Sequence, residues 1–301
     1  MRYLVTGAAG FIGSHLTEAL VADGHEVVAV DSFTDYYDPA QKEENAAAFE
    51  VSRLDLAEDE LALDGFDGVF HLAGQPGVRP SFADFDVYVR RNIVASQKVF
   101  ASAVRAGVRV VFASSSSVYG DAETYPTAED ARPQPISPYG VTKLTCEHLA
   151  HAYGLDAVLL RYFTVYGPRQ RPDMAFARLV DALARGGSFD LYGDGLQSRS
   201  FTYVADAVAA TVAAMERGTA GDAYNVGGGT EATMRDAIAT LEDISGRSLN
   251  LIVKAAAAGD VRRTAAATRR IERDVGWHAT TELREGLRAH WKWASARVAA
   301  P

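Results

Sequence analysis

The chain has 301 residues, enough for one large or two smaller domains, and its 48% hydrophobic and 23% charged residues are typical of globular proteins. The 30 basic and 39 acidic residues give a net charge of −9, which argues against a nucleic-acid-binding protein and against docking on an anionic membrane. The single cysteine excludes an internal disulfide, and no apolar run approaches the roughly 20 residues that cross a bilayer. We therefore expect a soluble cytoplasmic protein.

Short, continuous apolar segments predict β-strands that are buried on both faces, as in parallel sheets. These segments are residues 3–5, 27–30, 69–72, 109–113 and 157–160. Helical apolar spacing separates them, most clearly over residues 11–21 and 85–104. The alternation predicts an α/β fold with a doubly wound parallel sheet of the Rossmann type.

The character of the sequence changes after residue 167. The strand–helix alternation loosens, and glycine-rich turns appear at 186–187, 193–195 and 227–229. We expect one domain over residues 1–167 and a smaller mixed α/β domain over residues 168–301. No flexible linker separates the two, so we expect them to pack together, with some segments crossing back to the first domain.

A glycine-rich turn joins the first predicted strand to the first predicted helix. Gly7, Gly10 and Gly13 form a GxxGxxG pattern, whose glycines let the backbone approach a pyrophosphate at the helix N-terminus. Asp31 ends the second predicted strand, where a carboxylate binds a ribose diol and repels a 2′-phosphate. The pattern therefore predicts a dinucleotide site for NAD rather than NADP. The alternative is a glycine turn that binds no ligand.

Two polar motifs follow this turn. Tyr139 and Lys143 are spaced to lie on one helix face, where the lysine ammonium would stabilise a tyrosine phenolate acting as general base. A run of serines, residues 114–117, directly follows a predicted strand, and α/β sheets bind ligands at that end. Alone, each motif is compatible with a solvated helix face or a polar turn. Their combination with a dinucleotide turn favours a catalytic site.

Together these motifs resemble the extended short-chain dehydrogenases/reductases that act on nucleotide sugars. The resemblance covers nearly the whole chain and lies in TGAAGFIGSHL (6–16), HLAG (71–74), SSSSVYG (114–120), YGVTK (139–143), RYFTVYGPRQRPDMA (161–175), YGDGLQSRSFTYV (192–204) and YNVGGG (224–229). It implies that NAD is the cofactor and that Ser115, Tyr139 and Lys143 are the catalytic residues. It also implies a homodimer in which helices following Phe85 and Pro138 pair with their copies.

The resemblance also implies two sets of binding residues. The seven histidines are scattered without the spacing of metal ligands, so we expect no metal site. The NAD-binding set is Gly7, Gly10, Phe11, Ile12, Gly13, Asp31, Ser32, Asp55, Leu56, Leu72, Ala73, Gly74, Asn92, Tyr139, Lys143 and Tyr162. The set for the UDP-sugar substrate is Arg79, Ser115, Ser116, Ser117, Tyr139, Thr164, Arg171, Tyr192, Arg199 and Arg262. Within it, Arg171 and Arg199, with Arg262 as a further candidate, match arginines that hold the nucleotide diphosphate.

Three positions bear on the sugar chemistry. Dehydratases and decarboxylases of this family carry acids just before Val-Tyr-Gly, where this chain has Ser116 and Ser117. Galactose-type 4-epimerases usually carry Asn where this chain has Thr164. The pattern is most similar to UDP-glucuronate 4-epimerases, which implies NAD-dependent conversion of UDP-glucuronic acid to UDP-galacturonic acid through a transient 4-keto intermediate. The alternatives are a UDP-glucose/UDP-galactose-type 4-epimerase, a decarboxylase or dehydratase, and a non-catalytic NAD-sensing module.

The three hydroxyls have a chemical rationale. Oxidising glucuronate at carbon 4 gives a β-keto acid, which loses carbon dioxide when its carboxylate bond aligns with the carbonyl π-system. Hydrogen bonds from Ser116, Ser117 and Thr164 would hold the carboxylate out of that alignment without protonating the intermediate.

Overall fold

The computed structural model describes residues 1–255 and 262–299. Its largest element is a seven-stranded sheet in which neighbouring strands run parallel. Numbered along the chain, its strands are β1 (Arg2–Thr6), β2 (Glu26–Asp31), β3 (Val51–Arg53), β4 (Gly68–His71), β5 (Val110–Ser115), β6 (Ala157–Tyr162) and β10 (Ala223–Val226), in the spatial order β10-β6-β5-β4-β1-β2-β3.

Both faces of this sheet are covered by helices. Val5 on β1 packs in a core with α1 (Phe11–Ala22) and α7 (Val204–Arg217). The adjacent Leu4 packs in a second core with α4 (Ala95–Ala106) and α5 (Pro138–Ala152). Because successive strand residues point to opposite faces, both must be apolar, which explains the continuous apolar runs. The predicted doubly wound parallel α/β fold is confirmed.

The helix predicted over residues 85–104 contains a change of helical pitch. It begins as α3 (Phe85–Tyr88), widens into a π-helical segment over Val89–Val94 and continues as α4. The apolar spacing of 3.6 residues does not reveal such a segment, whose hydrogen bonds join residues i and i+5. Asn92 lies in it and is buried. Helix α2 (Pro39–Asn45) is short, and the apolar pattern did not indicate it.

A smaller mixed α/β region is built around β9 (Ser198–Tyr203). This strand pairs antiparallel with β11 (Thr230–Thr233) and parallel with both β7 (Val165–Tyr166) and β13 (Arg263–Thr264). A separate parallel pair joins β8 (Ser188–Tyr192) to β12 (Asn250–Lys254). The accompanying helices are α6 (Ala175–Arg185), α8 (Met234–Ser245), α9 (Arg269–Val275) and α10 (Leu283–Ala299).

The chain returns to the large sheet after it has entered this smaller region. Helix α7 covers one face of the large sheet, and β10 forms its edge beside β6. Strands β1 and β4 are neighbours, and successive strands are added outward on both sides of this pair, so the strand order reverses there. Ligands of open α/β sheets bind beyond the carboxyl ends of the strands at such a point. Within the described residues, no helix has the length and apolar character to cross a membrane.

Candidate active site

A cavity of about 440 Å³ lies at the carboxyl ends of the central strands. Its wall includes the residue following β1, the last residue of β2, the residue following β4, and the last residues of β5 and β6. These are Gly7, Asp31, Leu72, Ser115 and Tyr162. The cavity therefore occupies the position at which an open parallel sheet binds its ligand.

The glycine-rich turn has no room for side chains. Gly7 has a φ of +71°, and a Cβ placed on it would lie 2.8 Å from the backbone N of Ala73. A Cβ on Gly13 would lie 2.1 Å from the carbonyl O of Gly7. Helix α1 begins beside the cavity, and its N-cap residue Gly10 has no side chain to hydrogen-bond the first N–H groups. The turn therefore fits a pyrophosphate at a helix N-terminus, as NAD would place there.

A buried ion pair flanks this turn. The Asp31 carboxylate accepts hydrogen bonds from the backbone N of Ala9 (3.2 Å) and Phe33 (2.8 Å). Lys42 on α2, which is also buried, places Nζ 3.3 Å from Asp31 Oδ1 and lines the same cavity. Lys42 is not among the site residues expected from the sequence. Its one local signal is Asp38-Pro39, where Asp38 caps α2 by accepting from the backbone N of Ala40.

The three predicted catalytic residues line one cavity. Helix α5 begins at Pro138, with Ser137 as its hydrogen-bonding N-cap, and carries Tyr139 and Lys143. Lys143 Nζ donates to the carbonyl O of Ala113 (2.8 Å) and lies 6.0 Å from the centre of the Tyr139 ring. Ser115 ends β5, and its Oγ accepts from the backbone N of Ser117 (3.1 Å). Two different elements thus bring a hydroxyl, a phenol and an ammonium group to the same space.

The hydroxyls that distinguish this chain lie in the same cavity. Ser116 and Ser117 begin a short 3-10 helix after β5, and Thr164 lies between β6 and β7. Arg171 also lines the cavity, and its guanidinium is paired with Asp173. The cavity therefore combines neutral donors and the cations Lys42, Arg91 and Arg171 with the three predicted catalytic residues.

The structure separates five of the predicted residues from this cavity. All of the predicted NAD-binding residues except Asn92 line it, whereas the predicted substrate residues Arg79, Tyr192, Arg199 and Arg262 do not. Asn92 lies behind the wall, where its Oδ1 accepts from the backbone N of Gln75 (2.6 Å). Arg79 lies over the Tyr192 ring, 5.1 Å from its centre. Arg262 is 83% exposed and lies 3.9 Å from Asp194.

A buried polar network supports β5 and α5, which carry the predicted catalytic residues, from behind. Arg161 on β6 makes two hydrogen bonds to the carboxylate of Glu147 on α5, at 3.0 and 2.7 Å. The Ser114 hydroxyl donates to the same carboxylate, and Arg161 Nη1 donates to Tyr119 Oη (2.8 Å). Burial alone would lower the pKa of Arg161, but the hydrogen bonds and charge of Glu147 raise it. The network therefore fixes α5 against β5 and β6 at the level of the site.

His71, at the end of β4, has a structural role. Its Nδ1 lies 2.7 Å from Thr6 Oγ1 and its Nε2 lies 3.0 Å from Ser96 Oγ, so both nitrogens are hydrogen-bonded. Burial, with a smaller contribution from the Lys143 charge, lowers the pKa of His71 to about 3. A side chain that stays neutral and fully bonded links β1 to β4 rather than acting as a base.

Several cavity residues were not found by sequence reasoning. They are Thr34, Tyr36, Tyr37, Lys42, Gln75, Arg91 and Met174, together with apolar and backbone contacts. Tyr36 and Tyr37 belong to the segment between β2 and α2, which carries no spacing signal of its own. The sequence offers a different cue, because residues 35–39 resemble the matching segment of UDP-glucuronate 4-epimerases.

The comparison with known families agrees with this geometry. The NAD dependent epimerase/dehydratase family matches residues 3–227. The chain belongs to this family. Membership agrees with the cavity's glycine turn and establishes NAD as the cofactor of an epimerase-type enzyme, as the sequence predicted.

Individual members of the family are similar over nearly the whole chain. A UDP-glucuronic acid 4-epimerase from Bacillus cereus, solved with UDP-glucuronic acid and NAD, is 39% identical over 99% of this chain and 100% of its own, with a TM-score of 0.95. MoeE5, solved with UDP-glucuronic acid and NAD, is 42% identical over 99% of this chain and 100% of its own, with a TM-score of 0.90. YtcB of Bacillus subtilis, described as an uncharacterized UDP-glucose epimerase, is 40% identical over 95% of this chain and 96% of its own.

Proposed function

We propose that the protein catalyses the NAD-dependent 4-epimerisation of UDP-glucuronic acid to UDP-galacturonic acid through a transient 4-keto sugar. The observation that carries the proposal is one cavity that combines the Ser115, Tyr139 and Lys143 set with neutral hydroxyls where related enzymes carry acids. The Bacillus cereus 4-epimerase, with its bound UDP-glucuronic acid and NAD, supports this assignment through a TM-score of 0.95.

In this proposal Tyr139 is the general base and, in the return step, the general acid. Its phenolate removes the proton of the 4-hydroxyl group, and Ser115 donates a hydrogen bond to the same oxygen. Lys143, anchored on the carbonyl O of Ala113, stabilises the phenolate by its positive charge. NAD, held at the glycine turn and Asp31, would supply the redox chemistry as hydride acceptor and donor at carbon 4, and the keto sugar must turn over in the cavity between the two hydride transfers so that the opposite face is reduced. The net reaction inverts one carbon and consumes no cofactor.

The three hydroxyls account for the outcome of the reaction. Ser116, Ser117 and Thr164 line the cavity that also contains the proposed base. Hydrogen bonds from them to the sugar carboxylate would keep it out of alignment with the 4-keto group. No carboxylic acid stands at positions 116 and 117 to protonate the intermediate. This arrangement favours epimerisation over decarboxylation and dehydration.

We also propose that the protein forms a homodimer through its α3–α4 and α5 helices. Both helical segments leave large apolar side chains exposed, namely Phe85, Val94, Val104 and Val141. Exposed apolar side chains that accumulate on two elements are typical of protein–protein interfaces. The arrangement supports a symmetric contact between two copies of this face.

A 4-epimerase of neutral UDP-sugars is the second candidate. MoeE5 has also been solved with UDP-glucose and NAD, at 42% identity to this chain, and the Bacillus subtilis relative is named for UDP-glucose. A cavity of this type therefore accommodates a sugar without a carboxylate in at least one relative. The presence of Thr164 rather than Asn favours the uronic acid.

The deciding experiment compares the two sugars. Purified protein is incubated separately with UDP-glucuronic acid and with UDP-glucose, and the products are identified by NMR. We expect UDP-galacturonic acid as the main product and a higher catalytic efficiency for the uronic acid. A clear preference for UDP-glucose would replace the proposal with the second candidate, and UDP-pentose as the main product would indicate a decarboxylase.

A further inference from the structure

The loop that follows β4 forms part of the cavity wall beside the proposed base. This segment, residues 72–81, is called the β4 loop below, and its residues 72–78 all line the cavity. A Cβ placed on Gly74 would lie 3.4 Å from Lys143 Nζ. At the end of the loop, Ser81 Oγ accepts a hydrogen bond from the backbone N of Tyr139 (3.1 Å). The β4 loop therefore reaches both Lys143 and Tyr139.

Ser81 completes the start of helix α5. Tyr139 is the second residue of α5, and the first N–H groups of a helix have no acceptor within the helix. Ser137 accepts from the backbone N of Gly140 (3.1 Å), whereas Ser81 accepts from that of Tyr139 from outside the helix. The Ser81 hydroxyl in turn donates to the carbonyl O of Val78 (2.5 Å). The backbone of Tyr139 is thus tied to the cavity-lining part of the β4 loop.

Tyr88 holds the same loop through its hydroxyl group. It is the last residue of α3, directly before the π-helical segment, and it is 1% exposed. Its hydroxyl donates to the carbonyl O of Pro76 (2.7 Å) and to that of Gly77 (2.8 Å). Burial raises the pKa of Tyr88 to about 12, so the phenol stays protonated and remains a donor at neutral pH. One hydroxyl group therefore fixes two successive residues of the cavity wall.

The Tyr88 ring also contacts the Tyr139 ring. The two ring centres are 6.3 Å apart and the ring planes meet at 79°, which is the edge-to-face arrangement that aromatic pairs favour. Lys143 Nζ lies 6.0 Å from the centre of the same Tyr139 ring. Tyr88 therefore acts on Tyr139 by two routes, directly through its ring and indirectly through the β4 loop and Ser81.

We propose that Tyr88 is a positioning residue that holds Tyr139 at the 4-hydroxyl group of the sugar. The inference rests on the proposed function for the role of Tyr139 as general base. Tyr88 takes no part in proton transfer itself, because its hydroxyl is bonded to two backbone carbonyls and lies outside the cavity wall. Its contribution is geometric, since a displacement of about 1 Å at a reacting group can lower a rate about 10²-fold.

The test compares kcat and KM of the NAD-loaded protein for UDP-glucuronic acid. Tyr88→Phe keeps the ring and removes the hydroxyl, which releases the β4 loop. We expect kcat to fall about tenfold, with KM within about twofold of wild type, because the loss affects the base rather than substrate binding. Tyr166→Phe is the matched control, since Tyr166 is equally buried and donates to the carbonyl O of Leu283 away from the cavity wall. It should leave kcat at the wild-type value.

The effect of Tyr88 should depend on Tyr139. In a Tyr139→Phe background, Tyr88→Phe should change the residual turnover less than about twofold, because the phenol on which it acts is gone. A purely structural role would produce the same loss in both backgrounds. The NAD content of the purified protein should remain at the wild-type value in each variant.

Ser81→Ala keeps the test independent of the folding of Tyr88→Phe. It removes the acceptor at the start of α5 and should lower kcat several-fold. Adding Tyr88→Phe to it should give less than the product of the two effects, because both act through the β4 loop. Ser245→Ala is its control, since Ser245 Oγ likewise donates to a carbonyl O, that of Glu242, and accepts from a backbone N, that of Arg247, both at 3.2 Å.

Two results would overturn the inference. Wild-type kcat in a folded, NAD-loaded Tyr88→Phe protein would show that the hydroxyl does not position the base. An equal loss with and without the Tyr139 hydroxyl would show that Tyr88 acts on the fold or on the cofactor. The proposed function would fail separately, through the identity of the sugar products, and the same kcat comparison would then apply to the sugar that the protein converts.

Discussion

Replacing Thr164 with Val removes one hydroxyl from the cavity and keeps the shape of the side chain. If that hydroxyl binds the sugar carboxylate, its loss should cost about 1.5–3 kcal/mol, as for hydrogen bonds to charged groups. Catalytic efficiency for UDP-glucuronic acid should fall roughly 10–100-fold, while residual activity on UDP-glucose should change little. NMR should also reveal a UDP-4-keto-pentose by-product from the released carboxylate.

The matched control is Thr240→Val, which removes an exposed hydroxyl on α8 that donates to the carbonyl O of Asp236. It should leave both activities at wild-type values. An equal loss for the two sugars in Thr164→Val would show that Thr164 shapes the cavity without binding the carboxylate.

Tyr139→Phe tests the proposed base while preserving the aromatic ring. General-base catalysis contributes about 10²–10⁴-fold, so turnover should fall by that factor or more. UDP binding, measured by calorimetry, should stay within about twofold of wild type, because the ring remains and the phenol is assigned to the sugar. Turnover near the wild-type rate would assign the base to another residue.

At the scale of residues, sequence reasoning succeeds where the signal is local. The glycine turn and the Tyr139–Lys143 spacing each lie within one short segment, so one element positions them. Lys42 and Tyr36 are different, since each acts through a partner that only the folded chain brings near. Arg199 and Arg262 follow from resemblance alone, and the structure places both outside the cavity wall.

At the scale of elements, helix α5 depends on its buried ion pair with β6. Glu147→Gln leaves the Arg161 charge in the core without its counter-charge. It should lower the free energy of unfolding by about 3–5 kcal/mol, measured by urea denaturation. The double variant Glu147→Gln/Arg161→Met should recover part of this loss, because no buried charge then remains unpaired.

The exposed pair Asp181–Arg185 on α6 provides the comparison. Its removal by Asp181→Asn should change stability little, since solvent screens exposed ion pairs. If Glu147→Gln lowered the free energy of unfolding as little as Asp181→Asn, water would have to reach Arg161.

Element boundaries follow from the sequence to different degrees. The sequence predicts the central strands β1, β4, β5 and β6 because burial on both faces requires a continuous apolar run. It predicts helix α1 because burial of one stripe requires apolar residues at helical spacing. The π-helical segment Val89–Val94 was not, because its pitch is set by contacts such as that of Asn92 with Gln75. The small strands around β9 are too short and irregular to produce a periodic signal.

At the scale of the whole molecule, we expect a dimer in light scattering at micromolar concentration. Phe85→Glu combined with Val141→Glu should weaken dimerisation about tenfold or more, because each places a charge in an apolar contact. Val21→Glu, at an exposed apolar position on α1, should leave the dimer intact. A wild-type monomer, or a dimer insensitive to the double variant, would contradict the proposed interface.

His290 on α10 makes the stability of the molecule sensitive to acid. Burial lowers its pKa to about 3, and among the described residues neither ring nitrogen has a hydrogen-bond partner. In the unfolded chain the His290 imidazole binds a proton near pH 6.5, whereas in the folded chain it stays neutral down to about pH 3. The free energy of unfolding therefore decreases as the pH falls from 6.5 towards 3. At pH 5 the loss from this residue is about 2 kcal/mol.

His290→Leu removes both the acid sensitivity and the unbonded nitrogens. The free energy of unfolding should rise by about 1–3 kcal/mol at pH 7, and the gain over wild type should be larger at pH 5. His278→Gln, at an exposed position, should leave the pH profile unchanged. An equal gain at both pH values would show that His290 does not titrate between them.

The late return of the chain to the large sheet has a consequence for folding during synthesis. Until residues 223–226 have left the ribosome, β6 is an edge strand with unpaired backbone groups, and α7 is absent from the face that it covers. Nascent chains aggregate through unpaired strand edges and uncovered apolar faces. We therefore expect the nascent chain to be prone to aggregation until α7 and β10 have left the ribosome.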